Sequence, residues 1–229
     1  MIREWVLRLW YHIARVMCAI LVCLPYRVRV YGRNNIPKTG PLLVLSNHQS
    51  YLDPIFGQAM IGKMFLFLAR DTLFKNRFFG AVLHSISVIP IKRGQSDMAT
   101  IKKVINQLKR GRSVCLYPEG TRTSDGKIAD LKPGVALLSR KSGATVVPSV
   151  IDGAFECWPR HKKFPSLGKI TVSYGEPITS ERVKELGDQA FAVLLTERLR
   201  KMQTELRTKS ARQPFDYSGQ AQKKLKEVV

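Results

Sequence analysis

Residues Pro41–Phe56 read PLLVLSNHQSYLDPIF. The apolar run Leu42–Leu45 is strand-like, a polar loop follows, and Pro54 suits the first position of a helix. A strand that hands over to a helix through a loop carrying His48 and Asp53 is the start of an α/β unit. It also raises a chemical question. A carboxylate on one ring nitrogen of a histidine fixes its tautomer and makes the other nitrogen a base. Asp53 followed by Pro54 is equally a good helix N-cap. The spacing alone leaves both readings open.

Outward from this stretch the alternation continues. Val28–Tyr31 is β-like, and Gly32–Asn35 and Pro37–Pro41 are turns. The apolar run Met64–Ala69 reads as a buried strand, Asp71–Ser85 as partly helical, and Val88–Ile91 as a short strand. Asp97–Arg110 carries Ile101, Val104, Ile105 and Leu108 on one face, which predicts a helix ended by Gly111. Strands are predicted at Ser113–Tyr117, Thr145–Ile151 and Lys169–Tyr174, and helices at Pro133–Ser142 and Ser180–Leu206. Pro148 inside its strand suggests a sheet edge or a bulge. The pattern indicates one α/β domain over residues 28–206, with a mixed, largely parallel central sheet flanked by helices. Residues 207–229 form a basic polar tail that reads as disordered or surface-lying.

The chain has 229 residues, with 38 Lys+Arg against 17 Asp+Glu and a formal charge of +21. That field attracts nucleic acid, anionic lipid surfaces or phosphorylated substrates. Nucleic-acid binding is the rival reading, but no recognised binding module appears and the basic residues are spread. The four cysteines form no Cys-x-x-Cys pair and suit a reducing compartment. The histidines show no zinc spacing, so no metal is expected.

Residues 1–27 predict an amphipathic membrane-surface helix. Arg3, Glu4, Arg8, His12 and Arg15 interrupt the apolar sequence, so it is too short to span a bilayer. Trp5, Trp10 and Tyr11 suit the headgroup level, and Arg8 and Arg15 lie seven apart on a basic side.

Three further pieces, two loops and a proline-bearing strand, sit where strands end. Tyr117–Thr123 (YPEGTRT) offers Glu119, Gly120, Thr121 and Arg122, where arginine suits a bidentate grip on phosphate and glycine lets backbone N–H groups approach an anion. A polar turn with a solvated arginine accounts for it as well. Ile89–Gly94 ends in Lys92 and Arg93, and Val146–Val150 carries Pro148. Ligands of open α/β sheets bind where strand ends converge. Gly57–Met64 resembles a phosphate-binding P-loop but has Met64 where Ser or Thr is needed, and no G-x-S-x-G elbow occurs.

Taken in order, these blocks resemble the 1-acyl-glycerol-3-phosphate acyltransferase family, the PlsC-type glycerolipid acyltransferases, over roughly residues 28–178. NHQSYLD is similar to the family's H-x4-D block, which implies catalytic roles for His48 and Asp53. VIPIKR resembles the second block, implying that Arg93 meets the acceptor phosphate, although Lys92 and Ser87 depart from the usual residues. YPEGTRT resembles the third, implying Glu119, Gly120, Thr121 and Arg122 at a substrate phosphate. Lys132 in LKPG matches a basic residue that commonly follows, and VVPSVIDG resembles the fourth block.

The resemblance implies acyl transfer from acyl-CoA or acyl-carrier protein to the 2-hydroxyl of 1-acyl-glycerol-3-phosphate, giving phosphatidic acid. It implies no cofactor and no covalent acyl-enzyme. The implied partners are the lysophospholipid, the acyl thioester, acyl-carrier protein as a candidate donor, and an anionic membrane surface. The expected location is peripheral or monotopic, on the cytoplasmic face of the cell membrane. The same chemistry on glycerol-3-phosphate or another lysolipid is the alternative.

Overall fold

The structure is a computed structural model that describes residues 9–10, 12–14, 16–17, 19–59, 64–85, 88–91 and 97–218. Seven strands form its sheet: β1 (Arg29–Tyr31), β2 (Leu42–Ser46), β3 (Phe65–Arg70), β4 (Val88–Ile91), β5 (Ser113–Leu116), β6 (Thr145–Asp152) and β7 (Thr171–Tyr174). Their order is β1-β7-β6-β2-β5-β3-β4. All neighbours are parallel except β6 and β7. The mixed, largely parallel sheet of the sequence reading is therefore present, with β2 near its middle.

The helices are α1 (Asp53–Ala59), α2 (Arg77–Ser85), α3 (Asp97–Lys109), α4 (Val135–Ser142), α5 (Ala154–Cys157) and α6 (Ser180–Lys209). Side chains alternate along a strand, so a strand buried on both faces must be apolar throughout. In β2, Leu43 and Leu45 face a core shared with α3, α4 and α6, through Leu108, Leu138, Leu195 and Leu199. Leu42 and Val44 face the opposite core, with Tyr26, Phe56 and Ile151.

Two findings choose between alternatives the sequence left open, and one, the break in α6, was not read from it. Pro148 does not mark an edge, because β6 lies between β2 and β7. It sits at a bulge: the pairs Ser149↔Tyr174 and Val146↔Ile178 are three residues apart on β6 but four apart on the partner segment. The backbone of Pro148 faces that interrupted ladder, where its carbonyl accepts from Gly175 N–H, and a missing N–H is tolerated at a bulge. Helix α6 is broken at Gly187, whose φ of +73° lies in the left-handed region that glycine permits. Of the two readings of the tail, residues 210–217 take the surface-lying one. Phe215 lies under the Arg207 guanidinium, and Tyr217 Oη accepts from Ile128 N–H.

Much of the N-terminal segment lies outside the described residues, including Arg3, Arg8, Tyr11 and Arg15. Residues 9–10, 12–14 and 16–17 are helical, and Ala19–Cys23 forms a π-helical turn. Leu9, Trp10, Ile13, Val16, Met17, Ile20, Leu21 and Leu24 are all exposed. Among the described residues no helix is long and apolar enough to cross a membrane.

Candidate active site

Parallel strands β2, β5 and β6 release their following loops at one edge of the sheet. The loop after β2 is wired there residue by residue. Asn47 is 2% exposed and continues the β2–β6 pairing with its side chain: Nδ2 donates to Ile151 O at 2.9 Å, and Oδ1 accepts from Ile151 N–H at 2.8 Å. His48 N–H donates to Glu119 Oε1 at 2.9 Å, and His48 O accepts from Thr123 N–H at 2.8 Å. Gln49 is fully buried; its Nε2 donates to Gly126 O and its Oε1 accepts from Phe155 N–H. The histidine backbone is thus held from β5 and from β6 before its ring is considered.

The ring geometry decides what His48 can do. Its Nδ1 lies 2.7 Å from Asp53 Oδ2, and the same oxygen accepts from Gln49 N–H at 2.6 Å and Ser50 N–H at 2.7 Å. An oxygen that accepts two backbone N–H bonds is unprotonated, so Nδ1 is the donor in the third bond. That places the imidazole lone pair on Nε2, which has no hydrogen-bond partner among the described residues. Asp53 is 0% exposed, and burying a carboxylate is costly unless donors surround it; three do. The helix-cap alternative fails for this side chain. Oδ2 points back to residues 49 and 50, and Oδ1 is buried with no partner.

Tyr117 stacks on the His48 ring at 4.1 Å between centroids, and burial pushes its phenol well above the usual range. It stays neutral and gives the imidazole a flat wall. Glu119 spans the gap between loops, with Oε2 accepting from Ala129 N–H, and burial raises its carboxyl to about 7. Its described contacts are to backbone, so Glu119 braces the histidine loop. Gly120 sits at φ +70° and its N–H donates to Tyr117 O, closing a turn. Thr121 is exposed beside it.

Arg122 is drawn to the histidine loop. Its guanidinium lies 3.4 Å from the centroid of the Tyr51 ring, and its Nη1 is buried with no partner among the described residues. Stacking holds the guanidinium without consuming its N–H donors. Lys132 is exposed on the connection before α4, and no described contact joins its side chain to His48. Arg93 lies outside the described residues; β4, which precedes it, runs parallel to β3 and ends at the same edge.

A family model described as Acyltransferase matches residues 27–152, which is the sheet segment carrying all of these loops. The chain belongs to the acyltransferase family. A Pseudomonas aeruginosa relative, named 1-acyl-sn-glycerol-3-phosphate acyltransferase, is 31% identical over 200 residues, covering 82% of this chain and 75% of the relative. A Bacillus subtilis protein of the same name is 28% identical over 191 residues, covering 83% and 93%. A chloroplastic protein of that name from Arabidopsis thaliana is 30% identical over 182 residues, covering 78% and 51%. The chain spans about half the length of the plant relatives it matches. Among solved structures, that of the 1-acyl-sn-glycerophosphate (LPA) acyltransferase PlsC from Thermotoga maritima superposes with a TM-score of 0.71. It covers 90% of this chain and 97% of that one at 21% identity, a likeness of fold.

Sequence reasoning missed what holds this acyltransferase's site together. Asn47 and Gln49 are polar, buried and committed to backbone groups more than a hundred and about eighty positions away respectively. Their one signal was position inside the H-x4-D block. The wall formed by Tyr117 and the stack of Tyr51 on Arg122 join residues from different loops, which spacing along the chain does not reveal.

Proposed function

We propose that this acyltransferase moves a fatty acyl group from acyl-CoA or acyl-carrier protein to the 2-hydroxyl of 1-acyl-glycerol-3-phosphate, giving phosphatidic acid. The observation that carries the reading is the His48–Asp53 pair, whose Oδ2 accepts three hydrogen bonds and leaves Nε2 as the free base. The names of the relatives support the acceptor.

In this mechanism His48 Nε2 takes the proton of the acceptor hydroxyl while the oxygen attacks the thioester carbonyl. The C–O bond forms, the C–S bond breaks, and the imidazolium returns its proton to the departing sulfur. Asp53 supports the positive ring through the middle of the step. Arg122 and Arg93 grip the phosphate and bring the hydroxyl to the base, the proximity contribution. Direct attack is the proposed route because His48 Nε2 is left open to an acceptor hydroxyl and the sequence has no G-x-S-x-G nucleophile elbow. The proposal calls for no metal or cofactor. The exposed apolar residues at positions 9–24 suit a peripheral seat on a membrane, and the proposal takes that surface to be the cytoplasmic face of the cell membrane.

The test is His48→Ala, assayed by mass-spectrometric detection of phosphatidic acid from lysophosphatidate and acyl-CoA. We expect turnover to fall by about a thousandfold, with the thermal melt close to wild type. Turnover above a tenth of wild type removes the base role. A wild-type protein that acylates another acceptor in preference to lysophosphatidate overturns the substrate and leaves the base intact.

A further inference from the structure

The connection between β6 and β7 leaves the sheet beside the active site and carries WPRHKKFPSLGK, residues Trp158–Lys169. No aspartate or glutamate occurs from Cys157 to Gly175, while Arg160, Lys162, Lys163 and Lys169 supply four cations. Phe164 and Leu167 are each 72% exposed, the most exposed of the large apolar side chains in the described structure.

Such exposure costs free energy in water, and a loose loop would reduce the cost by folding the side chains inward. This loop is not loose. Ser166 N–H and Oγ both donate to Cys157 O, at 2.9 and 3.0 Å, which closes its base. Within it, Lys162 N–H donates to Pro159 O and Trp158 Nε1 donates to Lys162 O. The backbone thus holds the apolar tip outward with cations around it, the chemistry of a segment that meets an anionic lipid surface.

Its position connects that surface to the site. The Trp158 ring lies 5.1 Å from the Tyr51 ring, and Tyr51 carries the Arg122 guanidinium. At its far end Ile170 N–H donates to Tyr26 O, next to the turn bearing exposed Ile20, Leu21 and Leu24.

We propose that residues 158–168 are a second membrane-contacting loop, which seats Phe164 and Leu167 among anionic lipids and sets the His48 edge of the sheet against the surface that supplies the acceptor. The proposal rests on the lipid-acylating reading for its purpose, but contact with a bilayer is measured without turnover. The partner is a lipid surface rather than a protein groove, because the two exposed apolar side chains stand among cations on both sides of Phe164 in sequence, with no acidic residue between Cys157 and Gly175.

The experiment uses the full chain and vesicles of phosphatidylcholine, alone or with phosphatidylglycerol. Phe164→Ser combined with Leu167→Ser should weaken binding to the anionic vesicles by about tenfold. Replacing Arg160, Lys162 and Lys163 by Gln should weaken it by about fivefold per cation removed. In a Phe164→Trp variant, vesicles with brominated acyl chains should quench fluorescence beyond the level seen for wild type; this reads insertion even where the N-terminal segment dominates affinity. Unchanged affinity in the apolar double variant together with no added quenching overturns the proposal. Loss of binding only in the charge variant, with no added quenching, is the form of that result that describes attraction without insertion, whereas added quenching upholds the proposal whichever variant loses affinity. Absence of any acyl transfer by wild type, with loop-dependent vesicle binding intact, sinks the enzymatic reading and spares this one.

Discussion

Residues Asn47–Asp53 and 158–168 leave neighbouring strands at the same edge of the sheet, and they are stabilised in opposite ways. The first has Asn47, Gln49, Ser50 and Asp53 buried, with side chains and backbone bonded to three other segments. The second closes on itself at Cys157 and Ser166 and leaves residues 160–167 exposed. The proton transfer proposed for His48 needs a base held to a fraction of an ångström, and buried polar groups bonded to a few backbone atoms meet that need. Contact with a fluid surface needs no such registration, only a tip that stays outward.

The comparison breaks most sharply at Asp53→Asn. The amide oxygen can still accept from Gln49 and Ser50, but the amide nitrogen would then occupy the place of Oδ1, which is buried with no partner. A neutral amide also gives the imidazolium no counter-charge. We expect kcat to fall by about 10² to 10⁴ with KM nearly unchanged, and urea denaturation to show a loss of about 1–3 kcal/mol. Activity within tenfold of wild type shows that the tightly wired loop is structural only.

Tyr51 joins the two regions, since its ring meets both Trp158 and the Arg122 guanidinium. Tyr51→Leu keeps an apolar side chain and removes the stack. The guanidinium then has more freedom to lose on meeting a phosphate. KM for lysophosphatidate should rise by about fivefold with kcat within twofold, in steady-state assays below the acceptor's micellar range. A fall in kcat at unchanged KM assigns Tyr51 to the histidine loop instead.

How far these loops could be read in advance depended on where their constraints lie. The strands and the helix face of Ile101, Val104, Ile105 and Leu108 are local patterns, and they appear in the fold nearly as read. His48 and Asp53 were legible because both partners sit in one loop. Arg122 was legible as a cation, but not as a guanidinium laid on Tyr51. Glu119 was read as a substrate contact, whereas its bonds reach the backbone of His48 and Ala129. The bulge at Pro148 was half legible: proline demands an interrupted ladder, but whether the interruption is an edge or a bulge is settled by the partner strand. The clasp of Phe215 and Tyr217 on the 126–128 segment joins residues about ninety positions apart, and nothing local announces it.

Glu119 gives the smallest and most specific test, because the wiring of the histidine loop has a cost that depends on pH. Its carboxyl is raised from an ordinary 4.5 to about 7, with burial as the largest cause and the His48 and Ala129 backbone bonds acting the other way. A carboxyl raised on folding favours the fold when protonated. Its contribution is fully present below pH 4.5 and is lost as pH rises through about 7. Wild type should therefore lose more stability between pH 5 and pH 8 than Glu119→Gln, by roughly 2 kcal/mol in urea titrations. The glutamine carbonyl can still accept from His48 N–H, so turnover at pH 6 should stay within a few-fold. Parallel stability curves for the two proteins indicate a solvated Glu119, and the brace between the β2 and β5 loops is then a surface contact.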